Sequence, residues 1–282
     1  MSGEEHLLKP DIRIYQTLLD RYHLRADECL FIDDSPANIE GAKQDGLAVW
    51  HLTRRPIKAL FVNGGPRKNK NTAQALQSAM QGAQDAGAEV ELIHLYDIDL
   101  KGCKSCFACQ LKNAKTDGVC VIKDELRPVL EKAHEADVIV IGSPVYFSYP
   151  TGATRSFMER LLFPNFTYDY DEQGNRRRPI DEKQTAMIFT MNVPEKALDE
   201  WKYPTLLGTC ADTLRENFGH SDTLYICDTY QFQDYSRYAM TVFKEEDKRR
   251  HRDEHFPIDM QRAYNLGKRL AEAGKRMAEK IF

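Results

Sequence analysis

The segment Lys58–Thr72, KALFVNGGPRKNKNT, constrains the fold of this chain more than any other. A short apolar run breaks into a Gly-Gly-Pro turn, passes through a polar loop and ends at Asn71 and Thr72, just ahead of a long helical pattern. Strand, tight turn and helix start in that order make an anion site. Glycines let the backbone approach a phosphate, and the free N–H groups of the first helical turn point at it. Gly64, Pro66, Arg67, Asn69, Asn71 and Thr72 are the candidate contacts, through backbone N–H groups, the two amides, the Thr72 hydroxyl and the Arg67 charge. No Gly-Lys-Ser/Thr follows at the spacing of a nucleoside-triphosphate loop. Taken alone, the segment also reads as an ordinary strand-to-helix turn.

The alternation continues beyond it. Strands are expected at Lys58–Asn63, Glu89–His94, Val138–Gly142, Thr185–Thr190 and Thr223–Cys227. Helices are expected at Thr72–Ala86, Glu125–Glu135 with Asp124 as a cap, Ala153–Leu162, Thr205–Phe218 and Met260–Ile281. The cysteine-bearing segment Asp97–Val121 and the polar insertion Phe163–Glu182 have no clear period. This is the pattern of an α/β fold, a doubly wound parallel five-stranded sheet with helices on both faces. In the strand order 2-1-3-4-5, a ligand binds beyond the carboxyl ends of strands one and three, where the order reverses.

The third strand leads into Gly142–Gly152, GSPVYFSYPTG, which carries three aromatic rings. Pro144, Val145, Tyr146 and Phe147 offer a flat apolar surface against which a heterocycle can stack. A phosphate grip at one strand end and a flat surface at its neighbour suggest a flavin nucleotide.

With those residues in hand, Ile57–Phe282 resembles the flavodoxin-like NAD(P)H-dependent FMN reductases, which include the iron–sulfur flavoproteins. Gly64-Gly65-Pro66-Arg67 with Asn71-Thr72 is similar to the family's phosphate loop, departing from it at Gly65, where a serine is usual. Gly142-Ser143-Pro144-Val145-Tyr146-Phe147 resembles its flavin-ring loop. Thr229-Tyr230-Gln231-Phe232 and Asp234-Tyr235-Ser236 resemble its C-terminal half. The resemblance implies bound FMN, ping-pong electron transfer from NAD(P)H to a small-molecule or protein acceptor, and a homodimer that completes the pocket. One alternative is an electron carrier reduced by a partner protein; another is a non-catalytic flavin-binding or sensing module. Hydride transfer to a flavin needs no side-chain acid or base, so no catalytic residue is named.

Cys103, Cys106, Cys109 and Cys120 are written C-x2-C-x2-C-x10-C. Four thiolates at tight spacing can hold a 4Fe-4S cluster. A zinc site with four sulfurs and a set of reduced thiols are the alternatives. Iron–sulfur flavoproteins have a compact motif of this kind, although the last gap here is longer. Because the loop follows the second strand, the cysteines are expected beside the crevice. Cys29, Cys210 and Cys227 sit in apolar contexts and read as core.

Residues 1–55 look different. A helix is expected over Pro10–Tyr22, a strand over Cys29–Ile32, a helix over Pro36–Gln44 capped by Ser35, and a strand over Leu47–Leu52, with Thr53–Pro56 as a joint. Lys9-Pro10-Asp11 and Phe31-Ile32-Asp33-Asp34-Ser35 resemble the C-terminal part of haloacid-dehalogenase-like hydrolases. The resemblance implies that Lys9 would neutralise a phosphoaspartate and that Asp33 and Asp34 would organise magnesium. That family's nucleophilic aspartate precedes these elements and is absent from residues 1–8. The fragment is therefore expected to do no phosphatase chemistry, and to pack on the reductase domain or a partner subunit, since two apolar strands need cover.

Net charge is −4, which gives a nucleic-acid role no electrostatic support. No run is long enough to span a bilayer and no signal peptide is evident, so the expected compartment is the cytoplasm. The run Lys244–Glu254, KEEDKRRHRDE, reads as a solvated face.

Overall fold

The computed structural model describes residues 7–51, 55–112, 114, 116, 118–177 and 180–280. The expected joint at Thr53, strand end at Leu52 and helix end at Ile281 lie outside them. The chain forms two units, Met1–Pro56 and Ile57–Phe282.

In the larger unit, β3 (Lys58–Asn63), β4 (Glu89–His94), β5 (Val138–Tyr146), β7 (Lys183–Thr190) and β8 (Gly219–Ile226) form one parallel sheet in the order β4-β3-β5-β7-β8. This is the flavodoxin-like α/β arrangement that the sequence led us to expect. Central parallel strands are covered on both faces, so they read as unbroken apolar runs, and Val138–Ile141 is wholly buried. Alternate residues divide between two cores. Leu60 and Val62 pack with α4 (Arg127–Glu135), α5 (Gly152–Leu162) and α6 (Tyr203–Phe218). Ala59 and Phe61 pack with α3 (Asn71–Asp85) and α7 (Glu245–Lys280).

α3 and α7 approach at backbone distance. A Cβ on Gly82 would lie 2.0 Å from the Tyr264 carbonyl oxygen, and one on Gly267 would lie 1.8 Å from that of Ala79. Only glycine fits at either place.

Three expectations for this unit are corrected. The third strand does not stop at Gly142 but runs to Tyr146, turns at Phe147-Ser148 and returns as β6, Tyr149–Pro150, paired antiparallel. Phe147 and Ser148 have φ of 49° and 71°, the left-handed pair that a two-residue hairpin turn requires. The fourth helix begins at Arg127 beside Pro128, with Leu126 at the cap position, rather than under Asp124. The last helix starts 15 residues before Met260 and runs through Pro257. The charged run therefore forms its first turns and is not simply solvated. The Lys248 side chain is only 4% exposed and bonds Asp228.

The smaller unit has α1 (Ile12–Tyr22), β1 (Leu30–Asp33), α2 (Pro36–Gln44) and β2 (Ala48–His51), the two strands paired in parallel. Tyr15, Ala42 and Leu47 form its core. Asp11 caps α1 through its side chain, whereas Ser35 precedes α2 without a side-chain capping bond. Asp33 accepts from Lys9 Nζ at 2.5 Å, from Ser35 N–H at 2.9 Å and from Asn38 Nδ2 at 2.9 Å. Burial pushes its carboxyl up, but these three bonds outweigh burial and hold it at about 2. Among the described residues, no helix is long and apolar enough to cross a membrane.

Candidate active site

The end of β3 is locked before it reaches the ligand loop. Asn63 Oδ1 accepts from Gly65 N–H at 2.9 Å, and Asn63 Nδ2 meets His94 Nδ1 at 2.9 Å. Gly64 donates its N–H to the Gly142 carbonyl at 2.8 Å and accepts from Thr151 Oγ1 at 2.6 Å. A Cβ on Gly64 would meet Thr154 Oγ1 at 1.8 Å. The N–H groups of both glycines are thus committed within the protein, which corrects the expectation that they face a phosphate. The donors that remain are the first-turn N–H groups of α3, which have no acceptor within the helix.

A cleft of about 150 Å³ opens in front of that helix start. Pro66, Arg67, Asn71, Thr72, Pro144, Val145 and Tyr146 line it, so the structure brings seven of the expected residues together from two separate segments. Gly64, Asn69 and Phe147 do not line it. Gly64 is buried beneath the loop, the Asn69 carbonyl accepts from Gln74, and Phe147 stands 99% exposed at the hairpin tip.

Several of these side chains are held rather than free. Thr72 Oγ1 lies 2.6 Å from Thr190 Oγ1. Asn71 donates from Nδ2 to the Tyr230 carbonyl at 3.0 Å and accepts at Oδ1 from Arg252 at 2.6 Å. Arg67 Nη1 donates to the Gln231 carbonyl at 2.9 Å. The loop is pre-shaped by partners that are distant in sequence, which leaves the ligand less ordering to impose.

Sequence reasoning missed the other half of the cleft. Lys70, Thr190–Val193, Tyr203, Thr229 and Gln231 also line it. The segment after β7 was findable, since ligands gather at the carboxyl ends of strands. Arg67 and Lys70 are cationic, and no carboxylate lines the cleft among the described residues. Together with the α3 dipole they make it a site for an anion. Asn192 Oδ1 is buried and has no hydrogen-bond partner, so the wall presents an acceptor for a ligand N–H.

The four cysteines do not line this cleft, contrary to the expected placement beside it. They converge on a second cavity against Glu159, Arg160, Phe163 and Pro164. That is the far end of α5, about 16 Å along the helix from its cap at Thr151. Arg160 ties the loop there. Its guanidinium pairs with both Asp124 oxygens, at 2.5 and 3.0 Å, and donates to the carbonyls of Lys101 and Ile122 at 3.2 Å. It is 1% exposed, and its Nε has no hydrogen-bond partner. Burial, with the neighbouring thiols, pushes the Cys109 thiol up. Among the described residues, no group of three His, Cys, Asp or Glu is drawn together around a single point. Cys210 and Cys227 are buried as expected, while Cys29 is half-buried.

Residues 57–194 match the family described as NADPH-dependent FMN reductase. An iron-sulfur flavoprotein of Archaeoglobus fulgidus is 43% identical over 104 residues, covering 37% of this chain and 48% of that protein. One from Methanocaldococcus jannaschii is 35% identical over 104 residues, covering 37% and 51%. The chain thus spans about half the length of these curated relatives. An NAD(P)H:quinone oxidoreductase from Methanothermobacter marburgensis superposes with a TM-score of 0.52 at 14% identity, over 77% of this chain and 96% of that one. At that identity the likeness concerns the fold alone.

Proposed function

We propose that residues 57–282 form an FMN-dependent NAD(P)H oxidoreductase domain. The observation that carries this reading is the cleft itself. A helix start and two cations, with no opposing carboxylate, sit beside a flat aromatic hairpin at the switch point of the sheet. The donor set fits a flavin mononucleotide. Arg67, Lys70 and the first turn of α3 would hold its phosphate, Pro144–Tyr146 would flank its ring, and the unpartnered Asn192 Oδ1 would accept from a ring N–H. When bound, FMN supplies hydride acceptance from a nicotinamide and onward delivery of electrons. The protein's part is to bind, orient and shield.

A cleft of about 150 Å³ is smaller than the ~300 Å³ at which small-molecule sites begin. A cleft of this size would cover only part of a flavin nucleotide. The exposed Tyr146, Phe147 and Tyr149 beside the cleft suit a second copy as the remaining wall, which supports a homodimer. Protein purified without added flavin should show a flavin visible spectrum, and mixing with NADH or NADPH in a stopped-flow cell should bleach it. A colourless protein that does not bind added FMN would end the reading. A coloured one that neither nicotinamide bleaches would favour a carrier or sensing module instead.

The second cavity supports a second reading, that Cys103, Cys106, Cys109 and Cys120 hold an iron–sulfur cluster. All four thiols border that cavity beside Arg160, whose Nε N–H has no hydrogen-bond partner and could donate to a cluster sulfur. Iron and acid-labile sulfide analysis of protein prepared without oxygen tests it, and absence of both overturns it.

For residues 1–55, the resemblance to a hydrolase remnant is supported by the Lys9–Asp33 pair. Every bond in it is internal to the unit, so we read it as a fold-holding contact. Magnesium-dependent hydrolysis of p-nitrophenyl phosphate, abolished by Asp33→Asn, would refute that.

A further inference from the structure

A third cavity, of about 440 Å³, adjoins the cysteine cavity through Cys103, Glu159 and Phe163, and its volume is that of a small-molecule pocket. Its apolar walls are Leu162, Phe163 and Phe166, and its polar wall includes Glu159 and Asn217. Asn217 is the penultimate residue of α6, two residues before β8 begins at Gly219, so the pocket sits toward the amino-terminal edge of the sheet, away from the candidate cleft.

Asn217 is 1% exposed. Its Nδ2 donates to the Thr213 carbonyl at 2.9 Å, while its Oδ1 is buried without a partner. Buried polar atoms in folded proteins are almost always satisfied, and an orphan on a cavity wall marks where a ligand donor can go. Glu159 is a second acceptor there; its Oε2 already receives the Cys103 N–H at 3.1 Å. Among the described residues no cation lines the pocket, so a carboxylate or phosphate would face the Glu159 charge uncompensated. The apolar side carries an aromatic surface of its own, with Phe163 edge-on to Phe107 at 5.5 Å, suited to ring packing.

We propose that this pocket is a second binding site, for a neutral aromatic molecule of one or two rings that carries a hydroxyl or amino donor. The rings lie against Leu162, Phe163 and Phe166, and the donor reaches Asn217 Oδ1. Cys103 and Glu159 border both this pocket and the cysteine cavity, so the occupant lies beside the thiols.

The test uses the full chain and three naphthalene probes in calorimetric titration. 2-Naphthol should bind at least tenfold more tightly than 2-methoxynaphthalene, which has the same rings and no donor, and 2-naphthoate should bind least. Asn217→Leu, which removes the orphan oxygen at similar volume, should erase the tenfold preference. Thr213→Trp, a half-buried position on the rim, should fill the pocket and abolish binding of all three probes; it decides the matter if Asn217→Leu does not fold. Excess FMN should leave the naphthol titration unchanged. Equal affinity for naphthol and its methyl ether, competition by FMN, or binding that survives Thr213→Trp would each overturn the proposal.

Discussion

Arg252, in the first half of α7, donates to Oδ1 of Asn71, the first residue of α3, at 2.6 Å across 181 residues of sequence. Its other terminal nitrogen reaches Gln74 Oε1 at 2.7 Å, and its guanidinium lies over the Phe256 ring. The turn that faces the cleft is therefore held from outside its own segment. Arg252→Met should keep the stem packing and lose both bonds. We expect FMN affinity to fall by about 1–3 kcal/mol, the scale of hydrogen bonds to a charged group, in a flavin fluorescence-quenching titration. Unchanged affinity would show that the clamp does not shape the site.

The Arg160–Asp124 pair predicts an asymmetry. The Arg160 side chain is 1% exposed and that of Asp124 23%. Asp124→Asn strands a buried charge and should lower stability by about 3–5 kcal/mol. Arg160→Met leaves a carboxylate that water can reach and should cost less. The bond from Arg160 holds the Asp124 carboxyl below the ordinary range. Its contribution is thus present above the ordinary carboxylate pKa and fades as pH falls through the lowered one. Denaturant melts of both variants at several pH values check order and slope.

Cysteine labelling should separate two thiols. Burial, reinforced by the carboxylates of Glu195 and Asp259, pushes Cys227 up to about 12, whereas Cys106 is exposed. The thiolate is the reactive form. In protein freed of iron and sulfide, iodoacetamide at pH 8.5 should modify Cys106 within minutes and leave Cys227 intact, as read by peptide mass spectrometry. Modification of Cys227 in the folded protein would contradict its placement.

In the smaller unit, Asp33 is held at about 2 against an ordinary 3.8. A depressed carboxyl stabilises the fold above its unfolded pKa and loses that contribution as pH drops through the folded one. Amide exchange over α1 and α2 should speed up as pH falls from about 4 to 2, after correction for intrinsic rates, and Asp33→Asn should flatten that response.

How much of this could be read from the chain depended on where the information sat. The sheet was legible because runs such as Val138–Ile141 are apolar on both faces, and that pattern needs no partner to be recognised. Half of the cleft was legible because Pro66–Thr72 and Pro144–Tyr146 lie next to strand ends. The hairpin at Phe147-Ser148 was hidden because neither left-handed residue is glycine. The start of α7 was hidden because Pro257 and a dense charge run both argue against a helix. Nothing in the local sequence distinguishes Lys248, Arg160 and Arg252, buried or half-buried, from the solvated bases around them. Their roles arise only when α5 and α7 are laid against loops far away in sequence.

The close approach of Gly82 to the Tyr264 backbone and of Gly267 to the Ala79 backbone makes α3 and α7 a lever with a fixed fulcrum. The cleft-facing tip at Asn71 is 11 residues from Gly82, about 16 Å of helix, so a small tilt at the fulcrum becomes a larger displacement at the tip. A methyl group added at either glycine would touch no ligand and lie far from the cleft, yet it would swing the tip away from Arg252 and Tyr230. Variants that lose flavin can therefore be sought on the back of the molecule, where no survey of binding residues would look.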